Sequence, residues 1–239
     1  MSGFPQLIGS GLPDKIAGGK AVRLLVGSTE EWMLKLWFSE GSPFARKVRI
    51  VLAEKGLEYE KDVRNGLRPI DEHRALHPGL AVPVLSASDL TLFESSLIQD
   101  YLLKSYPHHN NGALTPPFIT TMTRPKNHWE DAKTLAILET ITNAIVNLKL
   151  MRDSGATPDS VAYLKRQHIR IESCLDWLEE RATVEGFAPG WFSVMDINLI
   201  CPIAYAERRE VYKLQGRPKL KGLIAHFAQR PSVRSTRIP

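Results

Sequence analysis

The stretch Leu34 to Arg49, LKLWFSEGSPFARKVR, constrains this chain more than any other. It reads as a short apolar strand (Leu34, Leu36, Trp37, Phe38), a tight turn (Ser39, Glu40, Gly41) and an abrupt helix start. Ser42 suits the N-cap, and Pro43 suits the first helical position, where no N–H is needed. The helix continues through Lys47, Val48, Ile50, Val51 and Leu52, and Gly56 ends it. A hydroxyl therefore sits at the mouth of a helix, beside free backbone N–H groups and the positive end of a dipole. A thiolate or another small anion would be stabilised there. Many α/β proteins have a strand, a serine N-cap and a helix in this order, and most such serines only cap.

From Met33 the pattern predicts strand, helix, strand, helix, two strands, helix. The second strand falls near Glu58–Val63, and a short helical turn spans about Ile70 to Leu76. Val82–Leu85 and Leu90–Phe93 are apolar runs joined by Ser86-Ala87-Ser88-Asp89, whose composition is that of a hairpin turn. Glu94-Ser95-Ser96 then opens a helix carrying Leu97, Ile98, Tyr101 and Leu102. Residues 107–125 read as a linker with a Pro-Pro pair and several threonines. The paired His108-His109 lies in it without a carboxylate or cysteine cluster, and reads as solvated loop.

Every later segment is helical. Leu135, Leu138, Ile141, Ile145 and Leu148 recur at spacings of three and four. Thr157-Pro158 suggests a cap and a first-position proline. Val161, Leu164, His168, Ile171, Leu175 and Leu178 follow as one stripe, which makes His168 a buried or interface residue. Ser193-Val194-Met195-Asp196 is a capping box with Asp in place of Glu. A last short helix carries Leu220, Leu223, Ile224 and Phe227. A strand-bearing first half and an all-helical second half predict two domains. The expected boundaries are 33–106 and 126–239, with 107–125 between them and 1–32 as an N-terminal extension.

Composition narrows the class. The 239 residues are 43% hydrophobic and 24% charged, as in an ordinary soluble protein. No run of about 18 apolar residues occurs, so no membrane span is expected. The net charge is +5, and much of it falls late in the chain. No aromatic interleaving accompanies it, so it reads as a solvated basic face and not as a nucleic-acid site. Cys174 and Cys201 are too few for a disulfide framework or a thiolate metal site, so no metal is expected. As two buried free thiols they suit a reducing, cytoplasmic compartment.

Three pieces coincide in order and spacing: SPFARKVR after the first strand, AVPVL on the third, and ESSLIQDYL after the fourth. Together they resemble the thioredoxin-like half of a soluble glutathione transferase. WFSVMDINL in the second half resembles that family's sixth helix, with its capping box and buried aspartate. The likeness runs from Met33 to about Pro231. It is nearest to bacterial transferases with a serine in SPF. The implied fold is an α/β thioredoxin-like N-terminal domain followed by an all-α helical C-terminal domain.

The resemblance implies glutathione as co-substrate, a homodimer, and addition of the glutathione thiolate to a small electrophile. Ser42 matches the serine whose hydroxyl points at the sulfur. It would donate to the thiolate and thereby lower the thiol pKa from its ordinary value of about 8.5. Val82-Pro83 matches the family's cis-proline step, which turns the Val82 backbone toward the cysteinyl backbone of glutathione. On the residues alone, a trans proline at a strand start serves equally. Glu94 and Ser95 match the acidic-serine pair. Ser95 suits the γ-glutamyl carboxylate and Glu94 the ammonium, although a serine cap and a dipole-favoured glutamate would also give this pattern. Ala81 departs from the family, which commonly places lysine before Val-Pro. His73, Arg74 and His77 are the candidates to compensate. The expected electrophile pocket lies near Ser39–Gly41, Phe44 and the long helix after Trp129. The same site could run a glutathione-dependent isomerisation, dehalogenation or peroxide reduction. The fold also serves binding modules that no longer catalyse, as in starvation-regulator-like or elongation-factor-associated relatives.

Overall fold

The computed structural model describes residues 34–64, 70–106, 118–119 and 128–239. The expected extension 1–32, the histidine pair and most of the expected linker lie outside them. Residues 34–64 and 70–106 form a four-stranded sheet with three helices. Strand β1 (Leu34–Phe38) lies at its centre, paired parallel to β2 (Tyr59–Val63) and antiparallel to β3 (Val84–Ala87). Strand β4 (Leu90–Phe93) closes the hairpin with β3, so the order is β2-β1-β3-β4. Helix α1 (Pro43–Lys55) connects β1 to β2, α2 (Ile70–Leu76) precedes β3, and α3 (Ser95–Ser105) follows β4.

Strand β1 alternates as its sequence requires. Leu34, Leu36 and Phe38 are buried, while Lys35 and Trp37 are half-buried on the other face. Ser42 caps α1 and Gly56 ends it at φ 62, a left-handed conformation that glycine adopts without a Cβ clash. Helix α1 is buried almost all round, because α3 packs on one side and helices of the second half on the other. Its interior therefore contains Arg46, Lys47 and Glu54 beside the aliphatic residues.

The second half is helical: α4 (His128–Asp153), α5 (Ala162–Arg181), α6 (Val194–Arg208), α7 (Pro218–Phe227) and α8 (Pro231–Ser235). Two short strands, β5 (Phe118–Ile119) and β6 (Phe192–Ser193), pair in parallel, so a strand falls inside the expected linker. Helix α4 is long and apolar enough to cross a membrane by length and composition. Its Leu138, Ile141, Ile145 and Leu148 are buried in the core shared by both halves. Helix α6 is central and buried on nearly every face. Its Pro202 has no N–H for the Asn198 carbonyl. The Asn198 side chain instead ties α6 internally and outward, donating to Val194 O at 2.7 Å and to Gln99 of α3 at 3.1 Å.

The Ser193–Asp196 box forms as the sequence predicts. The fully buried Asp196 carboxylate accepts from Ser193 N, Ser193 Oγ and Phe187 N at 2.7, 2.6 and 3.0 Å. Those bonds keep a buried carboxylate satisfied. Gly186 makes room for it: at φ 118, a Cβ there would stand 3.0 Å from Asp196 Oδ1.

The structure departs from these expectations in detail: β3 runs through Ser86 and Ala87, which leaves only Ser88 and Asp89 for the hairpin turn. Helix α5 starts at Ala162, not after Thr157, because Thr157 and Ser160 close their own turn: Ser160 N donates to Thr157 O and Thr157 N to Ser160 Oγ. Its buried stripe contains Gln167, at 1% exposure, while His168 is half-exposed. Of the two thiols, Cys201 is buried and Cys174 only half-buried.

Candidate functional site

The turn after β1 is closed by Ser42 N donating to Ser39 O at 3.1 Å. Ser42 Oγ then accepts from Ala45 N at 3.2 Å, and the Ser42 carbonyl accepts from Arg46 N at 3.0 Å. Pro43 has no N–H to place, and the Phe44 N–H has no intrahelical acceptor. The serine hydroxyl spends one lone pair on capping and keeps its own hydrogen to donate. It donates to nothing among the described residues.

The Val82-Pro83 bond is cis. Val82, Pro83, Glu94 and Ser95 line one cavity of about 260 Å³, bounded by His77, Ala81 and Phe44 and, from α4, by Glu139 and Asn143. Ser95 is buried at the start of α3, where the first-turn N–H groups point outward. Neither serine caps that helix. Glu94 is the N-cap, makes no side-chain cap bond, and sits at φ 68, ψ 121. A non-glycine residue held there costs about 1–3 kcal/mol, and such strain concentrates at functional sites.

Of the three candidates to offset Ala81, only His77 reaches the cavity. Its imidazole is buried against Phe93, with ring centroids 4.6 Å apart. Nδ1 accepts from Gly79 N at 2.7 Å, which leaves the proton on Nε2, 3.5 Å from Glu94 Oε1. Gly79 permits this fold-back, since a Cβ there would meet the ring at 2.7 Å. Arg74 instead pairs with Asp71 on the exposed face of α2.

Ser42 itself lines a second cavity of about 270 Å³, with Ser39, Gly41, Val146, Lys149, Tyr205 and Arg209 among its walls. Phe44 belongs to both cavities. This is the region expected from Ser39–Gly41, Phe44 and the long helix. The sequence did not reveal Tyr205 and Arg209, which come from the end of α6 and reach Ser42 only through tertiary packing. It also did not reveal Glu139, which faces the first cavity and pairs with Lys47 of α1 at 2.8 Å. Lys47 stands four residues after Pro43, so its place on the helix face was legible while its partner was not. Burial raises the Tyr205 phenol pKa, against an opposing pull from Arg209. The Tyr205 hydroxyl is therefore a neutral donor at physiological pH.

Residues 41–105 match the family described as Glutathione S-transferase, N-terminal domain. A stringent starvation protein A homolog of Haemophilus ducreyi is 32% identical over 85 residues, which are 36% of this chain and 40% of that protein. Homologs of the same protein from four other bacteria also match, and the chain covers 31–40% of the length of these five relatives. Glutathione S-transferase 3 of Zea mays is 25% identical over 209 residues, covering 85% of this chain and 92% of that one. A glutathione transferase family member from Pseudomonas fluorescens Pf-5, solved with bound glutathione, superposes with a TM-score of 0.70. It is 23% identical, and the superposition covers 86% of this chain and 99% of that one. Across its described residues, this chain has the glutathione transferase fold: a thioredoxin-like sheet and helices followed by a helical half.

Proposed function

We propose that this protein is a serine-type glutathione transferase, which binds glutathione as co-substrate and adds its thiolate to a small electrophile. One observation carries the reading. The donor hydroxyl of Ser42, at the N-terminus of α1, lines a cavity that shares the Phe44 wall with the one gathering Val82, Pro83, Glu94 and Ser95. In this reading the Val82 backbone pairs with the cysteinyl unit, and the α3 N-terminus takes the γ-glutamyl carboxylate. Glu94 takes the ammonium. Ser42 donates to the sulfur, and the dipole of α1 adds to its stabilisation as an anion. The sulfur then faces the second cavity, where the electrophile enters. His77 holds Glu94 from behind and supplies part of the wall that lysine supplies elsewhere. Isomerisation, dehalogenation and peroxide reduction would use the same thiolate.

The reading extends to a two-fold homodimer, to a cytoplasmic location suited to unpaired thiols, and to domains at 33–106 and 126–239. Retention on immobilised glutathione, followed by a panel of electrophiles, tests it. Failure to retain the protein would sink it.

A second reading is favoured by the starvation protein A homologs. Their 32–38% identity over 65–85 residues exceeds the 25% of the maize transferase, although that match covers far more of the chain. Under it the fold is a binding module without conjugating activity. Glutathione retention without turnover of any electrophile, or no retention at all, would favour this reading.

A further inference from the structure

The cavity beside Ser42 contains the Arg209 guanidinium, which no carboxylate among the described residues holds. Arg209 caps the C-terminus of α6 and is half-buried. No acid lies within ion-pair distance of it among the described residues, whereas Arg64, Arg217 and Arg230 each have one. Its charge stands 5.9 Å from the Tyr205 ring centroid and close over Gly41, where a Cβ would lie 2.8 Å from Nη2. Gly41 thus leaves the guanidinium room at the turn that carries Ser42.

The surroundings add positive charge. Lys149, on the same wall, has Asp153 as its partner. Arg152 binds backbone carbonyls, Arg209 O at 2.8 Å and Glu210 O at 3.1 Å, and so fixes the end of α6 to α4. Among the described residues, Asp153 pairs with Lys149, and neither Arg152 nor Arg209 has a carboxylate within ion-pair distance. Glu40, Glu207 and Glu210 are near in sequence but do not line the cavity. A half-buried cation facing a cavity, without a counter-ion among the described residues, selects a ligand that brings one.

We infer that the electrophile taken at this cavity is a carboxylate-bearing one, its charge held by Arg209 while its reacting carbon faces the thiolate beside Ser42. This rests on the glutathione reading above. With an activated aryl halide carrying a carboxylate, sulfur forms the C–S bond and the halide leaves with the C–halogen electron pair. The thiol proton has already passed to water.

The test uses two stable conjugates on the full chain, S-(4-carboxybenzyl)glutathione and S-benzylglutathione, with affinities measured by titration calorimetry. The wild type is expected to bind the carboxylate form about tenfold tighter, at the lower end for a hydrogen bond to a charged group. Arg209→Gln should bring the ratio close to one, and Arg209→Lys should keep part of it. Gly41→Ala, which pushes the guanidinium aside, should lower it as well. A thermal melt of each variant establishes that it is folded. If the wild type binds both conjugates equally, or Arg209→Gln leaves the ratio intact, the inference fails while the glutathione reading stands. If neither conjugate binds, the glutathione reading fails and takes the inference with it.

Discussion

Lys47 Nζ lies 2.8 Å from Glu139 Oε2, joining the first helix of the thioredoxin-like half to the long helix of the helical half. The two ends of this pair are not equivalent. The Lys47 side chain is 0% exposed and that of Glu139 34%. Removing the lysine charge leaves a carboxylate that water can reach, whereas removing the carboxylate strands a buried ammonium. Lys47→Met should therefore cost about 1 kcal/mol, and Glu139→Ala about 3 kcal/mol. Urea denaturation checks the order. Equal losses would mean that Lys47 finds another anion.

Ser42→Ala should lower kcat/KM by about 10–100-fold, the range for one hydrogen bond to a charged group. The rate should then rise with pH across a window displaced to more alkaline values, because the bound thiol loses a donor that favours its ionised form. The lost cap costs about 1 kcal/mol of stability. A pH–rate profile that superposes on the wild type would reduce Ser42 to a cap.

Glu94 stands at φ 68, where glycine is at ease and glutamate is not. Glu94→Gly should raise stability by up to about 1 kcal/mol and weaken glutathione binding. Melting temperature and calorimetry read the two effects separately. A fall in both would mean that the side chain stabilises the fold more than its backbone strains it.

Burial pushes the Cys201 thiol up to about 11 and raises that of Cys174 as well. A raised thiol pKa leaves little thiolate at pH 8, so both should react slowly with a disulfide reagent in the folded protein and fast in denaturant. Rapid labelling of Cys201 in the native state would show that α6 opens.

The sequence was most legible where one short segment contains its own reasons. Ser42, Pro43 and Gly56 delimit α1 by local capping, and Ser193 with Asp196 starts α6 in the same way. Spacing was weaker. Between Leu164 and Ile171, Gln167 and His168 both satisfy a three-or-four repeat, and only packing decides that Gln167 is the one buried. Thr157-Pro158 suits a turn as well as a helix start, and here it forms the turn. Two-residue strands such as β6 have no period to detect. At the site, the residues near Ser42 in sequence were readable. Arg209 and Tyr205 were not, since they arrive from a helix about 160 positions away and nothing local marks their destination.

The buried Glu54 carboxylate of α1 is satisfied by residues from the far end of the chain. Arg230 donates to it twice, at 2.7 and 2.9 Å, across 176 positions, and Ser232 donates as well. On the ribosome, at about 5–20 residues per second, those donors follow Glu54 by roughly 10–35 s. Throughout that interval the nascent first half holds a carboxylate that cannot leave water without a partner, and the face of α1 that meets α8 stays uncovered. The order of assembly in time thus runs against the order of synthesis, and α8 with the residues around it decides when α1 can be buried.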